Sequence, residues 1–199
     1  MFTARRAAVV ALPALLVFGL TGCSLLQEED PSDKLTGVAA CALGHTWKLD
    51  TTDLASQVTA ILKASNIAVS AVTADGSQSL DWGTDGSVVM DSDYTLNVTV
   101  TPAADQSTIV TETHKGKATG KAYINAEVAI PRDWKDSDLK VATKYVVNGT
   151  ELGEKDPKPF AIVATDFDDT VGLELTCDGT KMTTHARGGK ITQSWKRGS

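Results

Sequence analysis

Three histidines, three cysteines, four tryptophans and several closely spaced aspartates are the residues of this 199-residue chain with chemistry to offer. His45, His114 and His185 lie far apart, and nothing in their spacing asks for a metal. Each reads as a surface residue of a strand, opposite apolar positions, with His45 expected on the face opposite Trp47. Asp91 and Asp93, Asp136 and Asp138, and Asp166, Asp168 and Asp169 form close carboxylate groups of the kind that binds calcium. None stands in a twelve-residue loop with a central glycine and a terminal glutamate, so they read as solvated turn residues. No nucleophile elbow, phosphate loop, dinucleotide fingerprint or zinc helix occurs. The expectation is a protein that is not an enzyme and has no cofactor and no metal. Trp47 and Trp195 are candidates either for ligand contact or for plugging the end of a barrel. Trp134 follows Pro131-Arg132-Asp133 in what reads as a loop, where an indole either contacts a ligand or caps an open mouth. The net charge of −6 argues against nucleic acid as a partner, since phosphate binding needs clustered Lys and Arg.

The N-terminus carries an address. Arg5 and Arg6 precede an uncharged stretch from Ala7 to Leu20 that is rich in Ala, Val and Leu. It is shorter than the roughly 20 apolar residues of a membrane-spanning helix, and it fits the core of a secretory signal. It ends in Leu20-Thr21-Gly22-Cys23, which resembles the lipobox of bacterial lipoproteins. The resemblance implies that residues 1–22 are removed as a signal peptide. Cys23 then carries a diacylglyceryl group on its sulfur and an acyl chain on its amine. Two or three chains hold firmly, because each buried CH₂ adds about 0.8 kcal/mol. Loss of Arg5 and Arg6 leaves an even more acidic chain, so lipid rather than electrostatic attraction is the expected tether to the cell membrane, on its extracytoplasmic face. Residues 23–40 read as the lipidated cysteine and a solvated spacer, with Glu28-Glu29-Asp30-Pro31-Ser32-Asp33 too polar to fold. With Cys23 acylated, Cys41 and Cys177 remain, in a compartment where disulfides persist. A Cys41–Cys177 bridge is expected, with two buried free thiols as the alternative.

Residues 41–197 read as one domain. Leu54, Val58, Ile61 and Leu62 fall on one stripe of a helix over 50–63, capped by Asp50 or Thr51 and stopped near Asn66. Nearly everything else alternates with period two, the mark of antiparallel strands with one face in water. Tyr94, Leu96 and Val98 alternate with Thr95, Asn97 and Thr99, and Leu173 and Leu175 with Glu174 and Thr176. Strands are expected at 45–50, 67–73, 77–82, 87–91, 94–101, 107–115, 118–125, 139–147, 160–165, 171–177, 180–186 and 190–197, some of them merging. Asp85-Gly86, Asn148-Gly149, Asp178-Gly179 and Gly188-Gly189 supply tight-hairpin signals. The fold class expected is all-β with one amphipathic helix: an antiparallel up-and-down barrel, or a β-sandwich as the alternative.

Gly44-His45-Thr46-Trp47-Lys48-Leu49-Asp50 on the first strand, with Cys177-Asp178-Gly179-Thr180-Lys181-Met182-Thr183-Thr184-His185 leading to Ser194-Trp195-Lys196-Arg197 on the last, resemble uncharacterised lipocalin-like lipoproteins of actinobacteria. Lipocalins proper carry Gly-x-Trp near the start and a covering Arg near the end; here these are Gly44-x-x-Trp47 and Arg197. The resemblance covers roughly 41–197 and implies the barrel fold but no known activity. An eight-stranded barrel has room for one small ligand. The function expected is binding of a small apolar ligand or envelope component. The alternative is a structural or interaction lipoprotein whose barrel is filled and whose outer surface meets an envelope protein.

Overall fold

The computed structural model describes residues 36–155 and 172–198. Residues 1–35, with Cys23, and the strand expected at 160–165 lie outside the described residues. Among the described residues no helix is long and apolar enough to cross a membrane. The architecture is mostly antiparallel β-sheet with two helices. In chain order these are α1 (Gly37–Ala42), β1 (His45–Leu49), α2 (Thr51–Ala64), β2 (Val69–Trp82), β3 (Ser87–Ala103), β4 (Gln106–Asn125), β5 (Val128–Lys135), β6 (Lys140–Val147), β7 (Thr150–Lys155), β8 (Leu173–Cys177), β9 (Lys181–Ala186) and β10 (Thr192–Arg197).

Three pairs of expected strands merge into the long β2, β3 and β4. The hairpins fall where turn chemistry places them: Gly86, Asn148, Gly149, Gly179 and Gly188 all have positive φ. Two strands and a helix were not expected. β5 and β7 lack clean alternation, and α1 occupies residues read as the end of the spacer and the start of the domain. α2 matches its amphipathic stripe, burying Leu54, Val58 and Leu62. Asp50 caps it by accepting from the Asp53 amide at 3.2 Å, and Asn66 follows it with φ of 58°. Gln57 then clamps the helix to the last strand. Its amide nitrogen donates to the Thr192 carbonyl at 2.6 Å, and its oxygen accepts from the Thr192 amide at 3.0 Å.

Neighbouring strands run in the order β3-β2-β1-β10-β9-β8-β5-β4-β6-β7, and β4 also pairs back onto β3. First and last strands meet, with Leu49 opposite Trp195 and Trp47 opposite Arg197. The ring is uneven. β2 and β3 pair from Val69/Val100 to Trp82/Val88, whereas β5 and β8 are joined through Val128/Glu174 and Ala129/Leu173. β4 is the source of the unevenness. Its residues 108–115 pair with β6 and its residues 119–125 with β5, while β3 runs along its other edge. Gly116 marks the change of neighbour. Its φ is +119°, and a Cβ there would collide with the carbonyl oxygen of Asp138.

Candidate functional site

The interior holds one apolar cluster with two regions of different character. Where β1 meets β10, Trp47, Trp82 and Trp195 are fully buried. The Trp47 indole nitrogen donates to the Ala42 carbonyl at 2.9 Å. The Trp195 indole nitrogen donates to the Thr184 hydroxyl at 3.0 Å. The Arg197 guanidinium lies 5.2 Å from the Trp47 ring centroid and donates to the Cys41 carbonyl at 3.1 Å. Cys41 and Cys177 form the disulfide, with Cα atoms 5.9 Å apart. Of the ligand-or-plug candidates, Trp47 and Trp195 are thus packed and hydrogen-bonded within the protein.

Trp134 stands elsewhere, and not in a loop. It lies on β5, where the pairing with β4 slips between Thr119/Lys135 and Lys121/Arg132. Asp133 has φ of 52° at that bulge. The extra residue turns the Trp134 ring onto Gly120, where a Cβ would come within 2.6 Å of its Cε3. A bulge set by tertiary pairing leaves no alternation to read, and Pro131-Arg132-Asp133 imitates a loop.

The second part of the interior is lined by β2, β3, β4 and β6. Here the expectation for His114 fails: it is not a surface residue but is 1% exposed. It stacks on Tyr94, with centroids 4.5 Å apart and planes 9° from parallel. Its Nε2 lies 2.6 Å from Oε1 of Glu112, itself buried. Glu112 and His114 are two residues apart on one strand and therefore share a face. The parity of β4 places that face inward, with Val110, Ala118 and Ala122, while Ile109 and Tyr123 face out. Across the sheet Tyr94 opposes His114, and Leu96, Glu112 and Thr143 form one row. Nearby, the Gln78 amide donates to the Ser92 hydroxyl at 2.8 Å and toward the Met90 sulfur at 3.3 Å.

This part is polar and incompletely paired. His114 Nδ1, Gln78 Oε1 and Thr143 Oγ1 are buried without a hydrogen-bond partner. At the tryptophan end the Trp82 indole nitrogen is in the same position. Each such group costs about 1–3 kcal/mol when buried unpaired. Glu112 and His114 are the only carboxylate and imidazole buried among the described residues, and no Lys or Arg is buried there. The carboxylate fixes the imidazole's orientation and leaves Nδ1 buried with no partner of its own. Such a group can accept or give a proton, or hold a polar atom of a ligand.

The other two histidines remain apart. His45 is half-buried and meets Trp47 edge-on at 6.3 Å between centroids. The two share a face, contrary to expectation, because they too are two residues apart. His185 is half-buried, with Nδ1 3.1 Å from the Ile191 carbonyl. Among the described residues no three of His, Cys, Asp and Glu converge as a metal set. Asp91 pairs at the surface with Lys117 at 3.1 Å; Asp166, Asp168 and Asp169 lie outside the described residues. The pair that sequence reading missed had one signal, Val110-x-Glu112-x-His114 on a single strand face. Compared with known proteins, the chain matches no family model and no curated sequence.

Proposed function

We propose that the protein is an extracytoplasmic lipoprotein, held to the cell membrane by acyl chains on Cys23, that binds a small apolar ligand inside a lipocalin-like barrel without acting as an enzyme. The observation carrying this reading is the Glu112–His114 pair with its unpartnered Nδ1. A purely structural core avoids such groups, because apolar residues of similar volume are as stable or more so. The meeting of first and last strands, with Arg197 over Trp47, supports the lipocalin-like form of the barrel. Leu20-Thr21-Gly22-Cys23 supports the anchor.

A second reading is an interaction lipoprotein with a filled interior and no ligand. It is favoured by Tyr123 and Ile130, which oppose each other across β4 and β5 and stand 55% and 37% exposed on the outer face. Native mass spectrometry of the protein released from its own membrane separates the two. The first reading expects a co-purifying small molecule. A protein partner with no bound small molecule supports the second and overturns the first. Cys23→Ala, followed by membrane fractionation, tests the anchor: retention in the membrane at the mature mass would sink it.

A further inference from the structure

We propose that the Glu112–His114 pair seats an uncharged hydroxyl, so that the ligand is an apolar alcohol rather than a carboxylic acid, an amine or a plain hydrocarbon. The inference rests on the ligand-binding reading above and specifies its chemistry. His114 Nε2 is committed to Glu112 at 2.6 Å, while Nδ1 is buried and unpartnered. If the imidazole is neutral, Nε2 carries the proton toward the carboxylate and Nδ1 is an acceptor. If it is charged, both nitrogens donate and Nδ1–H needs an acceptor. A hydroxyl both donates and accepts, so it satisfies Nδ1 in either state. A carboxylate would place a second negative charge beside Glu112, where no buried Lys or Arg offsets it among the described residues. An ammonium only donates and cannot serve the charged imidazole. A further hydrogen-bonding atom without a partner is Thr143 Oγ1, on the strand position opposite Glu112.

The surroundings suit an apolar body. Leu96, Val98 and Val110 are buried on the same inner faces of β3 and β4. An open groove of about 320 Å³ lies between α2 and β2. Thr51, Ser56 and Thr59 line its helix side, and Val72 and Ala74 its strand side. Ala74 opposes Leu96, which opposes Glu112, so groove and pair share one cross-strand row. Both members of the pair are covered, so a hydroxyl reaches them only by displacing packing around them.

Calorimetric titration of the full chain carrying Cys23→Ala, handled without detergent, tests this with 1-octanol, octanoate, octylamine and n-octane. The alcohol is expected to bind at least about tenfold more tightly than the other three, the equivalent of one neutral hydrogen bond. His114→Phe, which keeps the ring and its stacking on Tyr94, is expected to lower the alcohol to the level of n-octane. In the parent protein, 1-octanol but not n-octane should shift the His114 ¹⁵Nδ1 resonance, a readout that needs no variant to fold. Octanoate or octylamine binding as tightly as the alcohol overturns the hydroxyl assignment and leaves the ligand-binding reading standing. So does an alcohol preference that survives in His114→Phe with no shift of the parent's resonance. Failure of all four compounds to bind overturns both.

Discussion

Trp47 and Glu112 are equally hidden from water in the same sheet, yet their surroundings are built on opposite principles. Around Trp47 the chain meets itself. A large ring is buried with its N–H bonded to a carbonyl, a cation covers its face, and a disulfide ties the flanking residues together. Around Glu112 there is one partner, His114, and near it lie atoms with none. The difference teaches that one core cluster can hold a well-satisfied region around Trp47 and a region with orphaned polar atoms. The strands that join first to last are held by their pairing and by buried area, with one disulfide alongside. The strands that carry the Glu112–His114 pair bear a cost that packing alone would not select.

The sharpest way to break the comparison is at the disulfide. Cys41→Ser with Cys177→Ser reopens a loop spanning 136 residues. By chain entropy this should cost roughly 4–5 kcal/mol, read as a fall in the denaturation midpoint. Trp47→Ala follows. Removing a fully buried indole should cost about 3–5 kcal/mol, and a midpoint indistinguishable from the parent would mean that the ring is not the keystone its burial implies. The polar half should respond with the opposite sign. Glu112→Leu combined with His114→Leu removes the buried pair and one orphaned atom together. It should leave stability unchanged or raise it by about 1–4 kcal/mol. A loss as large as that of Trp47→Ala would erase the distinction between the two regions.

The smallest effect lies at the start of α2. Asp50→Ala removes the helix cap and should cost about 1 kcal/mol. The same carboxylate lies 2.7 Å from Lys196. The hydrogen bond from Lys196, helped by the Asp53 amide and opposed by partial burial, holds its pKa below the ordinary 3.8. A depressed folded-state pKa means that the contribution is complete above the ordinary value. It is lost as pH falls below 3.8 through the folded pKa. Acid titration of the parent should therefore lose an increment in that range that Asp50→Ala lacks.

How far the sequence could be read divides along the same line. α2, the hairpins and the juxtaposition of Trp47 with Trp195 follow from local rules: a 3.6-residue stripe, turn residues that accept positive φ, and a ring that brings its ends together. The Cys41–Cys177 pairing is legible once Cys23 is set aside as the lipobox cysteine, which leaves two. Glu112 and His114 resisted because alternation tells which residues share a face, not which face is inside. On β4 both faces mix polar and apolar residues, with Ile109 and Tyr123 turned outward. Only pairing with β3 and β6 decides, and that is information held by the whole sheet. Trp134 resisted for a related reason. Its bulge exists because β5 must rejoin β4 after a slip in register, and no local rule encodes the slip.

The position of the disulfide also sets how the domain bears a load. A pull on the chain at Thr36 passes through α1 to Cys41. There the tension divides, part entering β1 and part crossing the sulfurs to the end of β8. α1 and the end of β8, far apart in sequence, are thus coupled through the sulfurs. Reducing that bridge would leave β1 to carry the pull through its pairing with β2 and β10.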